Sequence, residues 1–314
     1  MRFLLLSIAA LLALAGGPQA LIAAPRLNPV AIESTVAIFS PSPFNPAVLP
    51  WSGPSRIGGA VAKVESDVTT AGTTLPLGEG EGRMVQGRWV GETLAVSAEA
   101  FTRELDLDPL TFGPGTVEFD SSLVGVAFQV GEIFSLGAGR QSFELSGNSP
   151  DVTTRTLPVA GATLRVREVI YLGAASGDET VEDISTQEGD RTVTRFGVAY
   201  HWRDGDTGLH VEVYRQEIDA IATPITEEEQ ESVGFTVEVV FANILIAFES
   251  FETESTDNTG AVTSEDKATT VSLGWAPSQG LAIVASLVEL ELNDISAGQL
   301  FTFDTQSIGI AWLF

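Results

Sequence analysis

The two histidines of the chain are the first residues to consider for chemistry. His201 and His210 flank a predicted hairpin turn and share a predicted face, so their rings can approach each other across the hairpin. Two histidines can be part of a metal site, but no third ligand follows at a spacing typical of metal sites. The pair is therefore better explained as polar lining of an interior. Ser122 and Ser286 lie in no Gly-x-Ser-x-Gly turn, and no phosphate-binding glycine loop is present. The sequence therefore predicts no enzyme, no metal and no other cofactor.

Charged side chains recur on one face of several alternating segments, opposite bulky apolar residues. If those segments are strands of a barrel, the charges face the lumen. They could line a solute path with both signs of charge, or pair with each other in a network that stiffens the wall. Leu281, Ile283 and Leu287 share a face with Glu289, which predicts that part of the lumen is apolar. Besides His201 and His210, the residues assigned to the lumen are Lys63, Arg88, Glu99, Arg103, Arg165, Arg195, Glu212, Glu238, Glu249, Glu289 and Glu291.

The composition limits the class of partner. With 42 acidic and 16 basic residues the net charge is −26, and this excludes nucleic-acid binding, which needs a basic surface. The acidic residues concentrate between the predicted strands, where they would solubilise an exposed surface. Binding of divalent cations there, or bridging through them to lipopolysaccharide phosphates, is the alternative, although no EF-hand spacing is present.

The elements that would position these residues are repeated β-hairpins. Trp89 to Leu94 and Gln129 to Phe134 are near copies of one turn sequence, and Arg165 to Ile170 is a looser copy. Gly91 and Gly131 begin the first two turns, as glycine adopts positive φ without strain. Further hairpins turn at 203–207, 242–243 and 277–280. With one strand before (about 56–65) and one after (about 301–314), these predict 14 strands of nine to twelve residues.

The connections between the predicted hairpins are polar and longer than the turns. They are placed at 66–82, 105–116, 146–158, 177–190, 220–231, 253–267 and 293–299. An even strand count, with short turns at one end and longer loops at the other, is typical of bacterial outer-membrane barrels. The predicted fold class is therefore all-β, a transmembrane antiparallel up-and-down β-barrel.

The C-terminal segment supports a strand that faces lipid on one side. Ile308, Ile310, Trp312 and Phe314 alternate with small or polar residues, and the chain ends on an aromatic residue. An edge strand of a soluble sandwich would show the same period. The aromatic residues beside the short turns match an interfacial girdle, and they are Tyr200, Trp202, Trp275, Trp312 and Phe314.

The N-terminal region divides into two parts. Residues 1–24 combine one basic residue, a short apolar run and small residues, which predicts a secretory signal peptide. Residues 25–54 contain too many prolines for a long strand or helix. Their apolar content disfavours simple disorder and predicts a plug ahead of a barrel at 55–314, with a flexible tail as the alternative.

The plug region resembles a known family. Residues 33–39, the run Phe44-Asn45-Pro46-Ala47 and residues 55–60 look like the start of FadL-type outer-membrane transporters. In that family an Asn-Pro-Ala motif lies in an N-terminal hatch before a 14-stranded barrel. The resemblance implies a hatch that contains Phe44, Asn45, Pro46 and Ala47. The predicted outer loops are shorter than those of the fatty-acid transporters.

The resemblance also implies a function. The expected role is passive passage of a hydrophobic or amphipathic small molecule across the bacterial outer membrane, with membrane lipid and lipopolysaccharide as surroundings. Two alternatives remain open: a narrow general or cation-preferring porin, which the inward glutamates would suit, and a structural barrel that transports nothing. The identity of the solute and the oligomeric state are not predicted.

Overall fold

The chain forms a closed antiparallel barrel of 14 strands. The computed structural model describes residues 45–51, 53–109, 114–147, 153–183, 189–204, 207–221, 228–257, 259–275, 280–295 and 297–314. The predicted signal peptide and Phe44 lie outside these residues. No helix in the described part of the chain is long and apolar enough to cross a membrane.

Each strand pairs with its sequence neighbours, and β1 pairs with β14 to close the barrel, so the predicted fold class and strand count are confirmed. The strands are β1 Arg56–Thr70, β2 Thr73–Val90, β3 Leu94–Leu107, β4 Thr116–Val130, β5 Phe134–Ser146, β6 Thr153–Val166, β7 Ile170–Asp183, β8 Gly189–Asp204, β9 Thr207–Ile221, β10 Glu228–Phe241, β11 Ile244–Asp257, β12 Val262–Trp275, β13 Gly280–Asp294 and β14 Gln299–Leu313. A 3-10 helix, Pro46–Trp51, precedes them.

The two strands that flank each of the six predicted turns are antiparallel neighbours, and their connected ends lie at one end of the barrel, which we call the proximal end because Arg56 and Leu313 lie there. Gly131 has the expected positive φ of 66°, whereas Gly91 does not have a positive φ. Ala242 and Asn243 have φ values of 50° and 66°. The β10–β11 turn therefore has positive φ at both central residues, as in a type I′ turn, and it does so without glycine.

The strands are longer than the sequence indicated, because they continue through most of the predicted loops. They run from 13 residues in β5 to 18 in β2. Residues 66–82, predicted as one loop, are paired strand apart from a turn at Ala71 and Gly72. Polar side chains do not prevent pairing where both faces of a strand are outside lipid, so their composition alone did not distinguish strand from loop.

The ladder between β6 and β7 is interrupted near the end opposite the proximal one, which we call the distal end. Thr156 pairs with Thr180 and Ala160 with Ser176, and residues 157–159 have no paired partner in β7. Pro158 lies at the centre of this gap and cannot donate a backbone hydrogen bond.

Candidate functional site: the barrel lumen

Most of the charged residues predicted to line the lumen lie on the inner face of their strands. Their neighbours two positions away on the same strand are also buried, as the period of two requires. These inward residues are Arg88, Glu99, Arg103, Arg165, Arg195, His201, His210, Glu212, Glu238 and Glu249.

Lys63, Glu289 and Glu291 lie on the outer face, which corrects their assignment to the lumen. Lys63 Nζ pairs with Glu65 Oε1 at 2.8 Å in an exposed ion pair on the outer surface. Leu281, Ile283 and Leu287 lie on the same outer face as Glu289 and do not line the lumen. The assignment was wrong because it assumed that charged residues must face inward along the whole strand.

The outer face changes character along the barrel axis. On β14 the outward residues near the proximal end are Trp312, Ile310 and Ile308, and further along they are Gln306, Asp304 and Thr302. β13, β11 and β4 follow the same order, from apolar to acidic. A lipid-facing surface therefore covers the proximal half, and the distal half of the barrel has a polar outer surface suited to water. The five predicted girdle aromatics belong to the proximal surface, where they are exposed.

In the distal half, where the outer face is polar, the inner face carries many apolar side chains. There the interior contains a contiguous cluster of apolar side chains, which we call the distal apolar cluster. Its aromatic rings contact one another, with centroids 6.3 Å apart for Phe101 and Phe119 and 6.1 Å for Phe119 and Phe143. Its other members include Val64, Val68, Leu77, Leu105, Leu107, Leu145, Phe251, Leu290, Leu292, Phe301 and Phe303.

The sequence does contain a signal for this cluster, although it was missed. The apolar residues of β14 occupy even positions at Ile308, Ile310 and Trp312, and odd positions at Phe301 and Phe303. A switch of parity within one uninterrupted strand moves the apolar residues from the outer to the inner face. The same switch separates Leu287 from Leu290 in β13 and Phe248 from Phe251 in β11.

On the β8–β12 side, the proximal half of the lumen contains histidine and charged side chains beside an apolar patch that includes Val240, Leu245 and Ala247. The rings of His201 and His210 are 5.7 Å apart across the β8–β9 hairpin. His210 Nε2 lies 3.3 Å from Glu212 Oε2, and both side chains are buried. Arg195 donates from Nε to Gln216 Oε1. Among the described residues no group of three His, Asp or Glu side chains is arranged to hold a metal ion.

The segment Asn45–Trp51 lies inside the barrel against the other side of the wall, formed by β3 to β6. Asn45 anchors it: Nδ2 donates to Ala162 O at 3.2 Å and to Thr163 Oγ1 at 3.1 Å. Asn45 Oδ1 accepts from Ala47 N at 3.0 Å, which holds the first turn of the 3-10 helix. Ser135 Oγ donates to Ala47 O and fixes the next residue.

Glycines in the wall make room for this segment. A Cβ at Gly137 would collide with the backbone of Pro46 and Ala47, and one at Gly161 would collide with the Asn45 side chain. Gly125 is also close, since a Cβ there would lie 3.4 Å from both Leu49 Cδ1 and Pro46 Cβ. At the far end, Trp51 packs on Tyr171 with ring centroids 5.9 Å apart. The segment Asn45–Trp51 and the inner wall are therefore complementary in shape.

These features define a class: a transmembrane β-barrel whose lumen contains an N-terminal segment and an apolar cluster. Comparison with solved structures shows that the fold is that of the FadL-type channels. The Pseudomonas putida toluene transporter TodX aligns with a TM-score of 0.57 and 11% identity, over 93% of this chain and 98% of TodX.

Two further structures agree with this. A Pseudomonas aeruginosa FadL homologue aligns with a TM-score of 0.58 and 10% identity, over 93% of this chain and 97% of its own. The Ralstonia pickettii toluene transporter TbuX aligns with a TM-score of 0.56 and 13% identity, over 92% and 99%. No family model and no curated protein sequence matches the chain.

Proposed function

We propose that this protein is a FadL-like channel of the bacterial outer membrane for passive uptake of hydrophobic or amphipathic small molecules. The observation that carries the proposal is the distal apolar cluster, which lies inside a part of the barrel whose outer surface is polar. The similar structures are described as toluene transporters and a FadL homologue, and this supports a solute of the same general character.

The distal apolar cluster would receive the solute first. Transfer of apolar surface out of water lowers the free energy by roughly 25 cal/mol per Å². A small hydrocarbon that buries about 150 Å² in the cluster would therefore bind with a favourable transfer free energy of about 4 kcal/mol. This is enough to concentrate a dilute solute while still permitting its release. Since the cluster side chains already contact one another, entry requires them to separate, as in other apolar sites that open around a ligand.

Below the cluster, the solute would meet the charged side chains of the proximal lumen and the segment Asn45–Trp51. A head group could be accommodated among the inward charges, which is why an amphipathic solute remains within the proposal. We assign the hatch to residues 25–54, and Asn45, Pro46 and Ala47 form its anchored end. Solute would pass when this segment shifts or through a gap in the wall.

In this arrangement the lipid-facing proximal half spans the outer membrane, and membrane lipid and lipopolysaccharide surround it. The polar distal half, rich in Asp and Glu, stands on the cell-surface side.

The test combines uptake with conductance. The refolded mature protein and a variant without residues 27–51 are each reconstituted into planar bilayers, for conductance, and into lipid vesicles, for toluene uptake. The proposal expects low ionic conductance and saturable toluene uptake in the intact protein, and higher conductance after deletion. Intact protein that carries toluene no faster than protein-free vesicles would contradict the proposal. Uptake unchanged by the deletion would remove the gating role of the hatch.

A cation-preferring pore is the second candidate. Glu212, Glu238 and Glu249 lie on the inner faces of three consecutive strands, β9 to β11, and inward carboxylates favour cations. Stable, high, cation-selective conductance in the intact protein, without toluene uptake, would favour this function.

A further inference from the structure

Four neighbouring positions in one row of the inner wall carry oxygen-bearing side chains. Glu212 on β9 lies directly opposite Thr236 on β10, Thr236 lies opposite Glu249 on β11, and Glu249 lies opposite Thr270 on β12. Side chains directly opposite each other in neighbouring strands have Cβ atoms about 5 Å apart. The four groups therefore form a continuous row across four strands.

The row is buried deeply. The exposed fractions are 0% for Glu212, 4% for Thr236, 4% for Glu249 and 2% for Thr270. Within the described part of the chain, Thr236 Oγ1, Glu249 Oε1 and Thr270 Oγ1 have no hydrogen-bond partner. A buried oxygen without a partner is costly, and a buried carboxylate more so.

Tyr214 adds a further oxygen-bearing side chain from the distal side. Its ring lies over Gly234, the residue opposite it on β10, and a Cβ at Gly234 would collide with the phenol carbon and hydroxyl. Glycine at 234 therefore lets the hydroxyl reach across β10 towards β11. This hydroxyl is also buried without a partner among the described residues, and Tyr214 lies within electrostatic range of Glu249.

We infer that Glu212, Thr236 and Glu249, with Tyr214 above them, form a binding site for a divalent cation that prefers oxygen ligands, of which Ca²⁺ is the best fit. Two carboxylates supply two negative charges, so a divalent ion balances them. Ca²⁺ accepts six to eight oxygens in irregular geometry, whereas Mg²⁺ requires a near-ideal octahedron and retains its waters. His210, 3.3 Å from Glu212 Oε2, would orient the first carboxylate from behind.

The site lies on the opposite side of the lumen from Asn45–Trp51 and does not depend on the proposed uptake function. A bound cation would join three consecutive strands, β9 to β11, and neutralise two buried carboxylates of the wall. Its effect is therefore expected on the stability of the barrel, and a failure of toluene uptake would not bear on it.

The experiment measures Ca²⁺ binding to the refolded, chelator-treated protein by calorimetry, together with the thermal unfolding midpoint. Because the acidic outer surface binds cations weakly, the control variant is Glu289→Gln, which removes one carboxylate from the outer face. The wild type is expected to show one saturable site and a raised midpoint in Ca²⁺. Glu249→Gln should weaken the site about tenfold or more, and Glu289→Gln should change it less than about twofold.

Two results would overturn the inference: no saturable site in the wild type, or unchanged affinity in Glu249→Gln. An equal midpoint shift from Na⁺ at matched ionic strength would overturn the assignment to a divalent ion. If Glu249→Gln does not fold, Thr236→Val replaces it, since it keeps the side-chain shape and removes one oxygen. Unchanged Ca²⁺ affinity in Thr236→Val would also overturn the site.

Discussion

The side-chain oxygen of Asn45 occupies the position that a Cβ atom of residue 161 would take, so Asn45 and Gly161 fit each other on the inner wall of the barrel. Asn45 also hydrogen-bonds to Ala162 and Thr163, the two residues that follow Gly161. The contact joins the anchored end of the N-terminal segment to β6. It therefore provides a direct way to ask what this segment does.

Gly161→Ala should displace Asn45 and loosen the segment. The new methyl group would also lie 2.9 Å from Asn45 Cγ, and such overpacking costs about 1–3 kcal/mol. We expect a lower unfolding midpoint and higher single-channel conductance than in the wild type. Gly87→Ala on β2 is the matched control, because a Cβ there has no neighbour within 4 Å. Equal conductance in both variants would mean that the segment does not obstruct the lumen.

Asn45→Asp should destabilise the segment more than Asn45→Ala. The aspartate cannot donate to Ala162 O or Thr163 Oγ1 when ionised, and it places a charge beside the Ala162 carbonyl. Loss of buried hydrogen bonds costs about 1–3 kcal/mol, and an unpaired buried charge costs more. Urea unfolding of the reconstituted protein measures the difference. The reverse order of stabilities would show that the side chain is not anchored through its amide nitrogen.

Leu290→Asn should reduce toluene uptake several-fold, because it places a polar group inside the distal apolar cluster with the same number of side-chain heavy atoms. Glu289→Gln, the adjacent residue on the outer face, is the control and should leave uptake unchanged. The measurement is the initial rate of uptake into vesicles at equal amounts of folded protein. Uptake at the wild-type rate in Leu290→Asn would indicate that solute does not pass through the cluster.

The membrane boundary on β14 can be tested with two lysines on one face. Ile308→Lys places a charge on the proximal, lipid-facing half, where it should cost about 2–4 kcal/mol if it lies near the bilayer midplane. Thr302→Lys places the same charge on the distal half, where we expect a change below about 1 kcal/mol. Folding into lipid vesicles along a urea series gives both values. Similar costs for the two variants would mean that lipid covers the distal half as well.

Several features of the barrel were predictable because they depend on short stretches of chain. The turn at Gly131 and the alternation in Ile308, Ile310 and Trp312 are local signals. Because a strand has a side-chain period of two and outer-membrane barrels join neighbouring strands by short turns, these signals were sufficient for the strand count and the lipid-facing surface.

The orientation of Lys63 and Glu289 was not predictable from charge alone. Both residues lie beyond the apolar belt, where water replaces lipid on the outer face. The rule that a spanning strand places apolar residues outward and polar residues inward does not apply there. The apolar parity switch at Phe303 indicated this change, but a switch can also mark a bulge, and only the continuous β13–β14 pairing excludes that for these strands.

Local periodicity thus decided that the chain is a barrel with 14 strands and which residues face lipid, since hydrogen bonding and burial impose the same alternation on every strand. Closure of the barrel decided the rest. It brought Asn45 against Gly161, Tyr214 over Gly234, and Glu212 into one row with Glu249. Such contacts depend on register and on the space left by a missing side chain on a neighbouring strand, and neither quantity is encoded in any single segment.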